Sequence, residues 1–186
     1  MKDKKTALPT QPSLVGDQVY LRPATADDVA NNHVWFILSE PQAQGCQPLP
    51  FHTASEAAEA FKKKEATADY QAFAIVRRED KTLVGKIVFY DLNSLNRSAG
   101  LGLLIDPDER KKGYAADAMR VLTRFLFQYR GLNKVYAQTP EFNAGAARLL
   151  ESLGFKRDAC LRDHHFYNGK FYNSFIYSLL LFEADL

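Results

Sequence analysis

The sequence predicts a mixed α/β fold, and three observations carry that expectation. Between Tyr70 and Ile105, three runs rich in β-branched and aromatic residues are separated by polar turns, the pattern of an antiparallel meander. The third run leads through a basic turn into a segment whose apolar residues recur at Ala115, Ala118, Met119, Leu122, Phe125, Leu126 and Tyr129. Those offsets of three and four mark one buried face of a helix. A further strand, Lys134 to Thr139, follows, and strand, helix and strand in sequence imply a parallel pair joined by a crossover.

Taken in order, residues 1–13 combine lysines, two prolines and no apolar periodicity, which predicts a flexible tail and leaves 14–186 as a single domain. Val19 to Arg22 is a short strand closed by Pro23. Thr25-Ala26-Asp27-Asp28 resembles a capping box and should open a helix running to about Phe36. Glu40 to Phe51, rich in Pro, Gly and Gln, reads as loop. Thr53 and Glu56 form a second capping-box signal for a helix to about Thr67, with Ala57, Ala60, Phe61 and Lys64 as a narrow stripe. The meander then comprises Tyr70 to Val76, Thr82 to Tyr90 and Ala99 to Ile105, with turns at 78–81 and 93–97. Beyond Lys134 to Thr139, Asn143 caps a helix whose predicted buried face is Ala146, Leu149, Leu150 and Leu153, and Gly154 ends it. Two last strands, Lys156 to Phe166 and Phe171 to Leu181, are joined by Asn168-Gly169, a hairpin turn signal.

Composition narrows the function classes. With 46% hydrophobic and 25% charged residues the chain has an ordinary globular make-up. A formal net charge of +2 is too small to argue for nucleic acid or an anionic membrane surface. No apolar run nears the ~18–20 residues of a spanning helix. The basic start, Met1 to Lys5, is followed by no apolar stretch, so no secretory signal is expected. Cys46 and Cys160 share no short motif and read as reduced thiols, which makes the expected location cytoplasmic. His33, His52, His164 and His165 lack ligand spacing, so no metal is expected.

The chemistry is concentrated between Leu101 and Tyr129. An apolar strand, the turn Asp106 to Glu109, the run Arg110-Lys111-Lys112-Gly113-Tyr114-Ala115 and a long helix follow one another. The first amides of a helix have no internal partner, and its dipole adds partial positive charge there. A phosphate fits such an end, with the three cations adding charge and Gly113 allowing close backbone approach. Neither a Walker loop nor G-x-G-x-x-G is present.

Residues 110–115 resemble the R/Q-x-x-G-x-G/A motif of the GNAT acetyltransferases, in the same strand-to-helix setting. Asn143, Ala146, Leu149, Glu151, Gly154 and Phe155 resemble that family's N-x-x-[AS]-x-x-L-x-E-x-x-G-F block. Weaker similarity extends from about Val15 to Leu181. The resemblance implies the GNAT fold: a mostly antiparallel twisted sheet of about six or seven strands with one parallel pair, and about four helices on its faces. It also implies acetyl-coenzyme A as cosubstrate. Backbone amides near Leu103, Leu104 and Ile105 would hold the pantetheine and polarise the thioester carbonyl, residues Lys111, Lys112, Gly113, Tyr114, Ala115 and Ala116 the pyrophosphate, and Asn143 would add a contact beyond its capping role. Arg110 belongs to the same motif.

The family's usual proton-transfer positions fall here on Leu150, Ala146 and Gly100, none of them titratable. That leaves the catalytic groups unknown, with His164, His165 and Tyr167 as the remaining candidates, or water as shuttle. The histidines are adjacent, so on a strand they point to opposite sides. The tail from Leu161 to Asn173 resembles two subgroups, acetylating ribosomal-protein N-termini or spermidine, and both acceptors are cationic amines. Trp35, Phe36, Glu40 and Asp163 are the candidate acceptor-binding residues, and Asp91 is a further source of negative charge. The expected reaction is direct attack by the amine in a ternary complex. An acetyl-coenzyme A-binding regulatory module without catalysis is the alternative, and the resemblance leaves room for a homodimer.

Overall fold

The structure is a computed structural model that describes residues 14–35 and 53–185. Its centre is a seven-stranded sheet of β1 (Val19–Pro23), β2 (Gln71–Arg77), β3 (Leu83–Asn93), β4 (Ser98–Ile105), β5 (Lys134–Pro140), β6 (Lys156–Tyr167) and β7 (Lys170–Leu180). The strands lie in the order β1-β2-β3-β4-β5-β7-β6. Among the described strands β4 and β5 run parallel and every other neighbouring pair is antiparallel. Four α-helices fall wholly within the described residues: α1 (Ala26–Asn31), α2 (Ala54–Glu65), α3 (Tyr114–Gln128) and α4 (Ala144–Ser152). None of the described helices is long and apolar enough to cross a membrane.

Local signals explain most boundaries. Thr25 Oγ1 accepts the Asp28 N–H at 3.1 Å while the Thr25 N–H donates to Asp28 Oδ2 at 2.8 Å. Thr53 and Glu56 repeat that reciprocal cap on α2. Helix α1 is shorter than the sequence suggests, ending at Asn31. Asn32 leaves helical geometry at φ −120° and ψ 17°, and its Nδ2 donates to the Asp28 carbonyl at 2.8 Å, satisfying a group the next turn would have used. Phe36, the predicted loop from Glu40 to Phe51 with Cys46, His52 and the tail 1–13 all lie outside the described residues. At the β6–β7 hairpin, Asn168 and Gly169 both take left-handed φ, 48° and 77°, as a two-residue turn with the twist of its strands requires.

Helices α3 and α4 pack on one face of the sheet. Ala118, Val121, Leu122 and Leu126 of α3 join Leu21, Ile75, Ile87, Ala99, Leu101 and Val135 in the main core. Of the predicted buried face, Leu150 of α4 is buried in the core and Leu153, its C-cap, packs against it, while half-buried Ala147 packs there in place of the predicted Ala146 and Leu149. Tyr177 and Leu179 of β7 belong to the same cluster, and a flat strand face meets residues spaced three apart. The opposite face carries α2 through Phe61, packed with Ala24 and Ala72 and flanked by Val29 and Val88.

Strand β1 is fastened to α3 by one side chain. Buried Asp117 accepts the N–H groups of Asp17, Gln18 and Val19 at 3.1, 2.7 and 2.9 Å. A side chain at Gly16 would run into that carboxylate.

Candidate active site

The parallel ladder between β4 and β5 is short. It comprises Ser98–Lys134, Ala99–Val135 and Gly100–Tyr136, although β4 continues to Ile105 and β5 to Pro140. From Leu101 onward the β5-facing edge of β4 has no strand partner among the described residues, while its other edge is laddered to β3 as far as Ile105–Gly85. Leu103, Leu104 and Ile105 therefore line one wall of a wedge that opens towards the C-terminal ends of both strands. Backbone groups along such an unpaired edge are available to an amide-bearing ligand.

The wedge leads to the N-terminus of α3. Asp106 Oδ1 accepts the Asp108 N–H at 3.1 Å and a single 3-10 turn, Pro107–Glu109, follows. Lys111 takes φ 62° and Gly113, the N-cap of α3, φ 90°. Among the described residues no side chain caps this helix, whereas Thr25, Thr53 and Asn143 cap α1, α2 and α4. The amides of Tyr114, Ala115 and Ala116 thus lie in a first turn with no intrahelical acceptor, beside the exposed residues Lys111, Lys112 and Gly113. The cations are not equivalent. Lys112 Nζ sits 2.9 Å from Glu109 Oε2, which Arg77 also reaches at 2.9 Å. These partners, Lys112 foremost, hold the Glu109 carboxyl below its usual range against the opposing effect of burial. Arg110 Nε donates to the Ile105 carbonyl at 3.4 Å, beside the open edge.

The sequence motif lies, as expected, in a basic, glycine-bearing turn between a strand and a long helix, to which the structure adds the parting of β4 from β5 and the uncapped start of α3, and residues 18–156 match the family model described as an acetyltransferase (GNAT) domain. The chain belongs to the GNAT acetyltransferase family. It is 26% identical over 122 residues to the spermidine N(1)-acetyltransferase of Vibrio cholerae, covering 66% of this chain and 70% of that protein. It is 31% identical over 106 residues to Bacillus subtilis YdaF, named provisionally as a ribosomal N-acetyltransferase, covering 57% of this chain and 58% of that one. Against several curated relatives the match takes in only 58 to 61% of their length. A solved spermidine N-acetyltransferase of Vibrio cholerae, in complex with CoA and spermine, superposes with a TM-score of 0.82. It covers 89% of this chain and 97% of that one at 22% identity, which shows the shared fold.

Within this GNAT fold the other sequence candidates are scattered. Asn143 is a cap: its Oδ1 accepts the Ala146 N–H at 3.1 Å. In the second motif, Glu151 accepts the Tyr177 hydroxyl at 3.1 Å, Gly154 supplies φ 84° and Phe155 is buried, so these three residues shape α4 and its exit. His164 is exposed on an irregular stretch of β6 where Asp163 takes φ 47°, and the Asp163 N–H donates to Asn173 Oδ1 at 3.2 Å. His165 faces inward as alternation predicts, 5.5 Å from the Phe142 ring, which also meets Tyr167 at 5.1 Å and Tyr172 at 4.9 Å. Trp35 is half-buried and its backbone N–H donates to the Asn32 carbonyl at 3.1 Å; Phe36 and Glu40 lie outside the described residues. Among the described residues no three His, Cys, Asp or Glu side chains converge as a metal site.

One group escaped sequence reasoning. At the closed end of the wedge, Tyr90, Gly100 and Tyr136 stand in register across β3, β4 and β5. A side chain at Gly100 would collide with the Tyr90 ring, which instead meets Tyr136 edge-to-face at 6.3 Å between centroids. The Tyr136 hydroxyl donates to Asp91 Oδ2 at 3.5 Å. Asp91 reaches it from an irregularity in β3, where its own φ is 51°. Burial first, and Asp91 second, push the Tyr136 phenol above its ordinary range. Gly100 and Asp91 were each legible in the sequence for separate reasons, but for Tyr136 the only signal was a tyrosine alternating with the apolar Val135 and Ala137 on the strand after the crossover.

Proposed function

We propose that this protein is an N-acetyltransferase that moves an acetyl group from acetyl-coenzyme A to a primary amine by direct attack. The observation that carries the reading is the continuity of the open β4 edge with the uncapped start of α3. A ligand that is peptide-like at one end and doubly phosphorylated at the other fits those two features in that order. Amides of Leu103 to Ile105 would receive its amide-rich arm and orient a carbonyl, the arrangement that lowers acyl-transfer barriers by a few kcal/mol. Amides of Lys111 to Ala116 would hold the pyrophosphate, Arg110 and Lys111 would add charge, and Asn143 would lie beside the arm. Acetyl-coenzyme A supplies the activated acyl group; the chain's own contribution is to hold it and the amine together, which alone lowers the barrier substantially.

Among the described residues the one cysteine, Cys160, is exposed on β6, away from the wedge strands in the sheet order, which favours direct transfer; Cys46 lies outside the described residues. The acceptor class rests on the spermidine-acetylating relative and on the carboxylate of Asp91 beside the wedge. We assign a small cationic amine or an exposed peptide N-terminus. A second reading, a binding module without turnover, draws support from Leu150, 4% exposed in the core, and from Gly100 filled over by Tyr90. Calorimetry with acetyl-coenzyme A followed by an amine panel (spermine, spermidine and a peptide with a free N-terminus) separates the readings. Binding with turnover and intersecting double-reciprocal lines is the expected result. Binding without turnover supports the module, and absence of binding removes both.

A further inference from the structure

The wedge has a polar apex that the known motifs do not use. Gly100–Tyr136 is the last rung of the parallel ladder, so Tyr136 is the β5 residue at which the two strands part. Its side chain lies on the face opposite α3. Val135 and Ala137, its neighbours on β5, belong to the α3 core, and Tyr90, which it touches, follows Val88 at the spacing of one strand face beside α2. Three things converge there: a half-buried phenol, an exposed carboxylate that the phenol's proton points towards, and the start of the unpaired β4 edge. Asp91 reaches this position only because the β3 ladder slips by one residue between Tyr90 and Asn93. Such irregularities re-aim side chains and often lie beside active sites.

We propose that Tyr136 and Asp91 form the proton relay of the acetyl transfer, standing in for the titratable groups absent at Gly100, Ala146 and Leu150. The proposal rests on the acetyl-transfer reading above. The amine nitrogen contributes its lone pair to the new N–C bond and thereby becomes positively charged, which makes its N–H far more acidic than that of a free ammonium ion. The Tyr136 oxygen accepts that proton as its own passes to Asp91, and Asp91, being exposed, releases it to water. The C–S bond breaks with its electron pair on sulfur, and water protonates the thiolate. One proton leaves nitrogen and one reaches sulfur, with water as intermediary and no further reactant. The phenol is suited to the middle position because its hydroxyl already donates to the carboxylate, leaving its lone pairs for the donor. Tyr90, in the space over Gly100, fixes the ring edge-on and keeps the hydroxyl from swinging away.

The test uses the intact chain with Tyr136→Phe, Asp91→Asn and the double variant. Acetyl-coenzyme A affinity is measured by calorimetry, and turnover on the best acceptor among spermine, spermidine and a peptide with a free N-terminus. Tyr136→Phe keeps the ring contact with Tyr90, so binding should stay within about twofold while kcat falls about a hundredfold, the scale of one proton-transfer group. Asp91→Asn should cost about tenfold, and the double variant should be no worse than Tyr136→Phe, because both act along one path. An ultraviolet difference titration gives a readout independent of turnover. One tyrosine, absent in Tyr136→Phe, should ionise above the ordinary range and move down in Asp91→Asn. Tyr136→Phe with kcat within threefold of wild type overturns the relay alone, as does an unmoved titration in Asp91→Asn. A wild type that binds acetyl-coenzyme A yet acetylates no amine removes the relay and leaves the cofactor site standing. A wild type that binds none removes the acetyl-transfer reading and the relay with it.

Discussion

The carboxylate of Asp117 accepts the backbone N–H of Val19 at 2.9 Å, joining the long helix to the first strand across 98 positions of sequence. Gln18 and Asp17 donate to the same group, so one buried side chain satisfies three amides at the sheet edge. Removing it would leave those donors unmet. Asp117→Ala should therefore cost about 3 kcal/mol. For a chain of this size that is a fall in Tm of ~6–12 °C, checked by calorimetric or dichroism melting. A loss under 2 °C would mean that water replaces the carboxylate without penalty.

Gly113 caps α3 with φ 90° and faces solvent. Gly113→Glu would put an anion, on a strained backbone, against the first-turn amides. The expected outcome is loss of acetyl-coenzyme A binding by calorimetry, with the fold retained by circular dichroism. Unchanged affinity in a folded variant would remove the assignment of residues 110–116 to the pyrophosphate.

Asp28 links α1 to β1 through two hydrogen bonds from Arg22, at 2.6 and 2.7 Å. Burial, the largest single effect, pushes its carboxyl up. The bonds from Arg22 and Thr25 together outweigh burial, so the folded-state pKa lies below the ordinary value. A depressed carboxyl stabilises the fold fully above the unfolded pKa of about 3.9 and loses that contribution as pH falls through the folded value. Asp28→Asn should thus be less stable than wild type by about 1–2 kcal/mol at pH 7. Urea titrations should show the difference closing as pH falls below the unfolded value and through the folded one; a gap independent of pH would assign the effect to geometry alone.

Lys86, opposite Leu104 in the β3–β4 ladder, has its pKa lowered by burial and, second, by Lys64. A lowered lysine pKa is a penalty on the charged form, present below the folded value and gone above the unfolded pKa of about 10.4. Lys86→Met should raise stability at pH 7 by about 1 kcal/mol, or ~2–4 °C in Tm. The gain should shrink as pH approaches 10. Destabilisation instead would show that the ammonium has a stabilising role.

What was legible in the sequence was local. Capping boxes at Thr25 and Thr53, the Asn168-Gly169 turn and most of the stripe along α3 each depend on residues a few positions apart and appear as read, except that Tyr129, expected on the buried stripe, is the C-cap of α3 and is exposed, since the helix that would have turned it inward ends at Gln128. The left-handed glycine turn at Gly113 was legible for the same reason. The grip of Asp117 on residues 17–19 and the meeting of Asp91 with Tyr136 were not, because each joins residues that only the assembled sheet brings together. Even the end of α1 turned on one side-chain bond, Asn32 to the Asp28 carbonyl, which outcompeted continued helical periodicity.

The three-rung seam between β4 and β5 also divides the molecule by sequence. Strands β1 to β4 come from residues 19–105 and strands β5 to β7 from residues 134–180, so each side of the sheet is one contiguous fragment bridged by α3. Few backbone bonds cross the boundary, and cohesion there falls to the helix and the core beneath it. A ligand lodged between the two strands would act as mortar, adding its binding energy at the joint where the fold is thinnest. Amide hydrogen exchange should accordingly slow most, on saturation with ligand, in the residues flanking that joint rather than in the meander or the β6–β7 hairpin.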